Sequence, residues 1–366
     1  MSISLFAFVC GCLCGSVAKK RKVVTMKTRN KMILQGILLA LILISSGCAT
    51  KIKTTMLTPA KSHEASALKR IAVLPFSGRG ARNFNADIEA LLVKIRVNGK
   101  PYFSVVERSA MQKILREQAF HLSGAVDQKT AVKIGRLVGA EGVILGTVTR
   151  SDTENKRYSE RRSKCASRDK DKKCKRWRKY TVSCTQRDAW FSFIPKVVSV
   201  TTGEIVASET LTGHTSDSVC GDSGQPIMGK GEMLAVAKKE ALSKFRLMMA
   251  PYHVRMEIVL LDDDDSDPPD AAEDRIERGI KWAEAGRMDR ACELWHEACD
   301  IHPRGYAIHY LLGVCAEITG DLDNALKCYQ KADRMTGEPV EEINQALGRI
   351  RVRIGKEKRL EQQLQR

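Results

Sequence analysis

The spacing of apolar positions changes along the chain, and each change marks an element. Residues 69–76 (Lys-Arg-Ile-Ala-Val-Leu-Pro-Phe) form a short continuous apolar run ended by Pro75 and a Ser-Gly-Arg-Gly loop, the pattern of a buried strand. Over 84–97, Ile88, Leu91, Leu92 and Ile95 fall on one helical face, and Asn98-Gly99-Lys100-Pro101 breaks it. Phe103–Val106 reads as a short strand, and Met111, Ile114 and Leu115 predict a helix over 108–119. Asp127 can cap a helix reaching Leu137, with Ala131, Ile134 and Leu137 inward and Gly139 as its stop. Gly142–Val148 is a further buried strand. Strand and helix therefore alternate over 69–150, which predicts a layered α/β domain with a mixed sheet. A hairpin follows, Trp190–Val200 with Glu204–Leu211, joined by Thr201-Thr202-Gly203. Next come a helix over 229–249 with Met233, Val236, Ala237, Ala241 and Phe245 on one face, and a closing strand over 253–261. This first domain spans 69–261.

The acidic, Pro-bearing stretch 262–271 reads as a linker. Beyond it, 272–366, the pattern repeats every 34 residues: Gly279, Gly286, Ala291, Trp295 and Ala298 recur as Gly313, Gly320, Ala325, Tyr329 and Ala332. That is the tetratricopeptide spacing, so an all-α region of two helix pairs is predicted. A last amphipathic helix over 339–364, with Ile343, Leu347, Ile350 and Ile354, would cap the stack. In that resemblance the first helix of each pair lines a concave face, which makes Ile276, Ile280, Tyr310 and Val314 candidates for holding a protein partner. The competing expectation is that they pack inside the molecule. Cys292, Cys299, Cys315 and Cys328 fall within these helices, where free buried cysteine is common.

The opening 47 residues carry a different signal. Lys27, Arg29 and Lys31 precede the apolar run Met32–Ile44, and Ser45-Ser46-Gly47 leads into Cys48. The run is short for a membrane span. It resembles the lipobox of bacterial lipoproteins, although Ser45 stands where Leu is usual. The resemblance implies cleavage before Cys48 and acylation of its thiol and amine. It also implies outer-membrane sorting toward the periplasm, since Ala49 rather than Asp follows. Residues 1–25 precede this unit, and Met26 is the expected true start. Residues 48–68 are polar and read as a tether.

Charge sharpens the picture. The formal net charge is +18, but seven basic and no acidic residues lie in 1–48, which leaves +11 beyond it. Much of that sits in one insertion over 151–189. Between Ser151 and Tyr180, thirteen basic residues face five acidic ones. Arg161, Arg162, Lys172, Lys173, Lys175, Arg176 and Arg178 are candidates for contact with an anionic partner: lipopolysaccharide, phospholipid headgroups or an acidic protein. A merely solvated excursion is the alternative. Cys165, Cys174, Cys184 and Cys220 flank this charge. In an oxidising compartment they read as two disulfides with three pairings open. A metal site is disfavoured because no Cys-x-x-Cys pair exists. Export speaks against nucleic acid as the partner. No HExxH, P-loop or matched carboxylate set is present, so no cofactor and no catalysis are expected.

Several stretches together resemble the CsgG domain family of curli assembly. These are Phe103-Ser-Val-Val-Glu-Arg-Ser109, Leu122-Ser-Gly124, Thr130-Ala131 with Gly135, Gly139-Ala140 and Gly146, and Thr202-Gly-Glu-Ile-Val206. The resemblance covers about 69–250. It implies an anticodon-binding-like α/β fold in a periplasm-facing outer-membrane lipoprotein. The family includes a secretion pore, whose membrane hairpins need about ten residues of apolar alternation per strand; the basic insertion here lacks it. The function expected is therefore a non-catalytic, membrane-anchored binding or assembly factor in envelope biogenesis or secretion. An oligomeric curli-type channel subunit and an activator of peptidoglycan synthesis are the alternatives. The partners expected are the bilayer through acylated Cys48, a protein held by the repeats, and further copies of the chain.

Overall fold

The computed structural model describes residues 50–107, 127–262 and 266–365. Cys48, the export segment, the helix expected over 108–119 and the Leu122-Ser-Gly124 motif lie outside them. In chain order the elements are β1 (Lys51–Thr58), α1 (His63–Ala67), β2 (Arg70–Val73), α2 (Phe84–Lys94), β3 (Arg96–Val97), β4 (Lys100–Pro101), β5 (Ser104–Val105) and α3 (Gln128–Leu137). Then follow β6 (Gly142–Arg168), β7 (Cys174–Ser199), β8 (Ile205–Ala207), β9 (Leu211–Cys220), α4 (Lys230–Met249) and β10 (Tyr252–Val259). The rest is helical: α5 (Asp270–Glu284), α6 (Met288–Ile301), α7 (Tyr306–Thr319), α8 (Leu322–Met335) and α9 (Glu341–Leu364).

The main sheet has six strands in the path β5-β2-β6-β7-β8, with β9 also on β7. β2 is parallel to β5 and β6, while β7 is antiparallel to β6. Central strands of such a sheet are buried on both faces, which is why Ile71–Val73 reads as an unbroken apolar run. Ile71, Val73, Ile144 and Phe193 face one side, where Phe84, Ile88 and Leu92 of α2 and Met233, Ala237, Ala241 and Phe245 of α4 cover them. Ala72, Leu74, Val143 and Leu145 face the other, against Ala131 and Ile134 of α3. The domain is thus a mixed α/β layer structure, as the alternation predicts. Caps and breaks act where expected. Asp127 accepts from Thr130 N at 2.6 Å, and Asn98 and Gly99 take positive φ between β3 and β4.

Three features differ from the sequence reading. The second hairpin partner is only Ile205–Ala207. The chain then forms β9, which pairs with β7 from Cys184↔Cys220 to Phe193↔Leu211. Val236 is 43% exposed rather than facing the core. The third difference is larger: residues 50–68 are not an irregular tether. β1 pairs along its whole length with β10, from Lys51↔Val259 to Thr58↔Tyr252, as a ribbon separate from the main sheet. Lys51-Ile-Lys-Thr-Thr-Met-Leu-Thr58 alternates buried Ile52 with exposed Lys51 and Lys53. Three threonines disguise that alternation as a polar tract, although β-branched Thr favours strands.

The helical region follows the 34-residue spacing. A methyl on Gly313 would stand 2.6 Å from the Tyr329 ring, and one on Gly279 would collide with the Trp295 indole. Only glycine lets each pair close over its fully buried aromatic. Behind them lies a buried charge cluster. Glu317, with no exposed surface, accepts from Arg349 at 2.9 and 2.8 Å, from Arg353 at 2.9 Å and from the Tyr329 hydroxyl at 2.6 Å. This pins α9 against α7. The far end of α9 then reaches the α/β domain. Gln363 Oε1 accepts from Ala60 N at 2.9 Å, and the Gln363 carbonyl accepts from Tyr102 Oη and Lys69 Nζ, both at 3.1 Å. The expectation of free cysteines in these helices holds for Cys299 and Cys328. Cys292 and Cys315 are instead joined, because α6 and α7 bring their Cα atoms to 5.8 Å.

Candidate functional site

β6 and β7 run far beyond the sheet they begin in. At about 3.4 Å per residue, the 27-residue β6 is roughly 90 Å long. β9 accompanies β7 only as far as Cys184. Past that point Ser159–Arg168 and Cys174–Ser183 form a two-stranded arm of about 30 Å. The insertion expected as a charged excursion is therefore regular β structure.

A two-stranded ribbon without an apolar face is marginal in water. Three devices hold this one. Cys184–Cys220 staples its root to β9, with Tyr158, Tyr180 and Val182 packed around the sulfurs. Cys165–Cys174 closes it next to the turn. The turn itself is an Asp cap: Asp169 Oδ1 accepts from the backbone N–H of Asp171 at 3.0 Å and of Lys173 at 2.8 Å. Of the three pairings open to the four cysteines, the structure selects 165–174 and 184–220.

The basic candidates do not all do the same thing. Arg161, Lys172, Lys173, Lys175, Arg176 and Arg178 are exposed. Arg162 is half-buried and committed to the arm's root. It donates to Glu160 at 2.7 Å and to Asp222 at 2.8 Å, and the hydrogen bond to Glu160 raises its pKa. Asp222 also accepts from the Tyr180 hydroxyl at 2.7 Å; that bond and the Arg162 charge hold its carboxyl below the ordinary value. Between Ser151 and Tyr180, Arg162 is the one cation with a carboxylate in ion-pair range among the described residues. Neither face of the arm shows the apolar alternation of lipid-facing strands.

The four concave-face candidates are buried: Ile276 at 3%, Ile280 at 6%, Tyr310 at 1% and Val314 at 0% exposure. Ile52, Ile258 and Leu260, on and just beyond the β1–β10 ribbon, share their core. The Tyr310 hydroxyl donates to the Val259 carbonyl at 2.6 Å, and burial pushes its pKa up to about 12. The chain's own ribbon thus occupies the face read from sequence as a partner groove. Sequence reasoning missed this, as it missed the Glu317 cluster and the third disulfide. The threonine-masked alternation of β1 was the one signal available.

Nothing resembling a nucleophile and base is assembled among the described residues. His214 meets Asp188 at 3.1 Å across β9 and β7 while stacked on Trp190, and the buried His309 faces the Pro303 carbonyl at 2.9 Å. Glu160, Cys184 and Cys220 bring three potential ligand atoms together, but the two sulfurs are joined to each other and offer no thiolate. No helix among the described residues is long and apolar enough to cross a membrane.

The fold and arm define a domain with a sheet covered on both faces and a long hairpin carried by its central strands. Residues 64–245 match the family described as curli production assembly/transport component CsgG, and the chain carries a domain of that family. Three solved structures are similar over about half of this chain. They are the LpoB C-terminal domain from Salmonella enterica (11% identity, 48% of this chain and 92% of that one, TM-score 0.25) and lipoprotein GNA1162 from Neisseria meningitidis (13%, 49% and 98%, 0.26). The third is the PelC dodecamer from Paraburkholderia phytofirmans (12%, 54% and 99%, 0.23). No curated protein matches the chain in sequence.

Proposed function

We propose that this chain is a non-catalytic binding or assembly factor of the bacterial envelope, held to the outer membrane on its periplasmic side through acylated Cys48. One observation carries the reading: a disulfide-clamped, outward-reaching basic arm on a CsgG-type domain that assembles no catalytic group among its described residues. Disulfides persist in oxidising compartments, which fits export. The helix pairs brace this body, because their concave face is filled by the ribbon. A protein partner therefore meets the exposed surfaces rather than that face. The absence of apolar alternation in the arm disfavours the channel.

The test is membrane fractionation followed by cross-linking in intact envelopes. Wild-type protein should fractionate with the outer membrane and capture a defined partner in fixed ratio, and Cys48→Ala should release it from that membrane. A monomer that cross-links to nothing would overturn the reading. A large closed ring by light scattering, conducting in liposomes, would replace it with the channel.

A further inference from the structure

We infer that the tip of the arm is a foot for anionic lipid: its cations engage headgroup phosphates while Trp177 enters the interfacial layer. This rests on the envelope reading above and adds a second membrane contact to it.

The charge is placed at a structural cost. In the β6–β7 register Lys164 stands directly opposite Arg178, a like-charge pair that destabilises a sheet. Lys172 occupies the left-handed region at φ 61, where glycine or asparagine would sit without strain. Apart from Arg162, none of the arm's cations has a carboxylate at ion-pair distance among the described residues. Lys164 instead lies 5.4 Å above the Tyr180 ring. A run of charge that only conferred solubility would not need to oppose itself or to occupy a strained turn.

The arrangement also selects the partner. Side chains alternate along β7 from Arg176 onward, so Arg176 and Arg178 point to one face and Trp177 and Lys179 to the other, while a register shift at Lys175 interrupts the alternation beside the turn. With Lys172 and Lys173 at the turn, positive charge encircles the tip rather than lining one groove. That suits a broad sheet of phosphates better than a single shaped protein site. Trp177 is 64% exposed in the middle of it. A Trp flanked by Lys and Arg at a protein's outer limit is the composition of an interfacial anchor, the indole lying at headgroup depth while the cations meet phosphate.

The full chain is reconstituted in vesicles of phosphatidylcholine alone or rich in phosphatidylglycerol, with brominated lipid as quencher. The signal is the quenching present in wild type and absent in Trp177→Phe, which isolates the tip from the acyl anchor. Strong Trp177 quenching on anionic vesicles, weak quenching on neutral ones, and loss in high salt are expected. The variant Lys172→Gly with Lys173→Gln and Lys175→Gln, which relieves the strained turn and so keeps the fold, should weaken the anionic interaction on the order of a hundredfold. Replacing the same three lysines with Arg should retain it. Equal quenching on both vesicle types would overturn the inference. So would a Trp177 shift caused by polyglutamate but not by phosphatidylglycerol, which would assign the tip to an acidic protein. The vesicles contain no other protein, so the outcome is independent of whether cross-linking finds a partner.

Discussion

Replacing Glu317 with Gln should cost more than any other single polar substitution in the helical region. The carboxylate has no exposed surface and holds two guanidinium groups, Arg349 and Arg353, whose side chains are 21% and 13% exposed. Removing one partner of such a group leaves the others charged and poorly solvated, a loss of about 3 to 5 kcal/mol when the pair is fully buried. Gln keeps the shape and one acceptor, so about 2 to 3 kcal/mol is expected, a large part of a typical domain's margin. The pH dependence follows from the same geometry. Burial alone would raise the Glu317 pKa, but the hydrogen bonds and charge of Arg349, with Tyr329 and Arg353, outweigh it and hold it below its ordinary value. The ionised cluster therefore stabilises fully above the unfolded carboxyl pKa of about 4.3, and that stability is lost as pH falls through the lower native value. Denaturant unfolding followed by circular dichroism, repeated from neutral to acid pH, measures both effects. Glu317→Gln should lower the midpoint near neutrality and flatten the acid limb, and a cycle with Arg349→Met should show strong coupling between the two sites. A variant within about 0.5 kcal/mol of wild type, with an unchanged acid limb, would refute the reasoning.

Two further outcomes follow from packing and covalent constraint. Gly313→Ala should lose about 1 to 3 kcal/mol by thermal unfolding, because its methyl meets the Tyr329 ring at 2.6 Å, whereas Gly337→Ala, which meets nothing, should be near neutral. Replacing Cys184 and Cys220 together with Ala releases a 36-residue closure, worth about 4 kcal/mol in the chain-entropy picture. Hydrogen exchange should then speed up through 158–184 while β2 and the inner half of β6 stay protected.

What could be read from sequence was whatever local periodicity controls. The continuous run at Ile71–Val73, the Asp127 cap and the 34-residue recurrence of Gly with Trp295 or Tyr329 each report a neighbour close in sequence or a face of fixed period. What escaped depends on partners far apart. β1 finds β10 some two hundred residues later, and its alternation is written half in threonine. The long extension of β6 and β7 carries charge on both faces, so no hydrophobic period announces it, and disulfides take over the work of a core. The concave-face residues were picked out by position in the repeat, but sequence could not say that the protein itself covers them. Arg162 likewise looked like its neighbours until Asp222, sixty residues away, came beside it.

The β1–β10 ribbon sets an order of assembly. β1 opens the described chain, yet the strand that pairs with it ends at Val259, the helices that cover it follow, and Gln363 must arrive before Ala60 has its acceptor. Closing contacts across such separations is slow, because loop entropy is lost before the contact is gained. A chain delivered from its N-terminus would hold β1 without its partner strand until some two hundred further residues had emerged, and without its covering helices for longer. The interval between first and last residue is then when this protein is most open to mispairing and to a chaperone's grip.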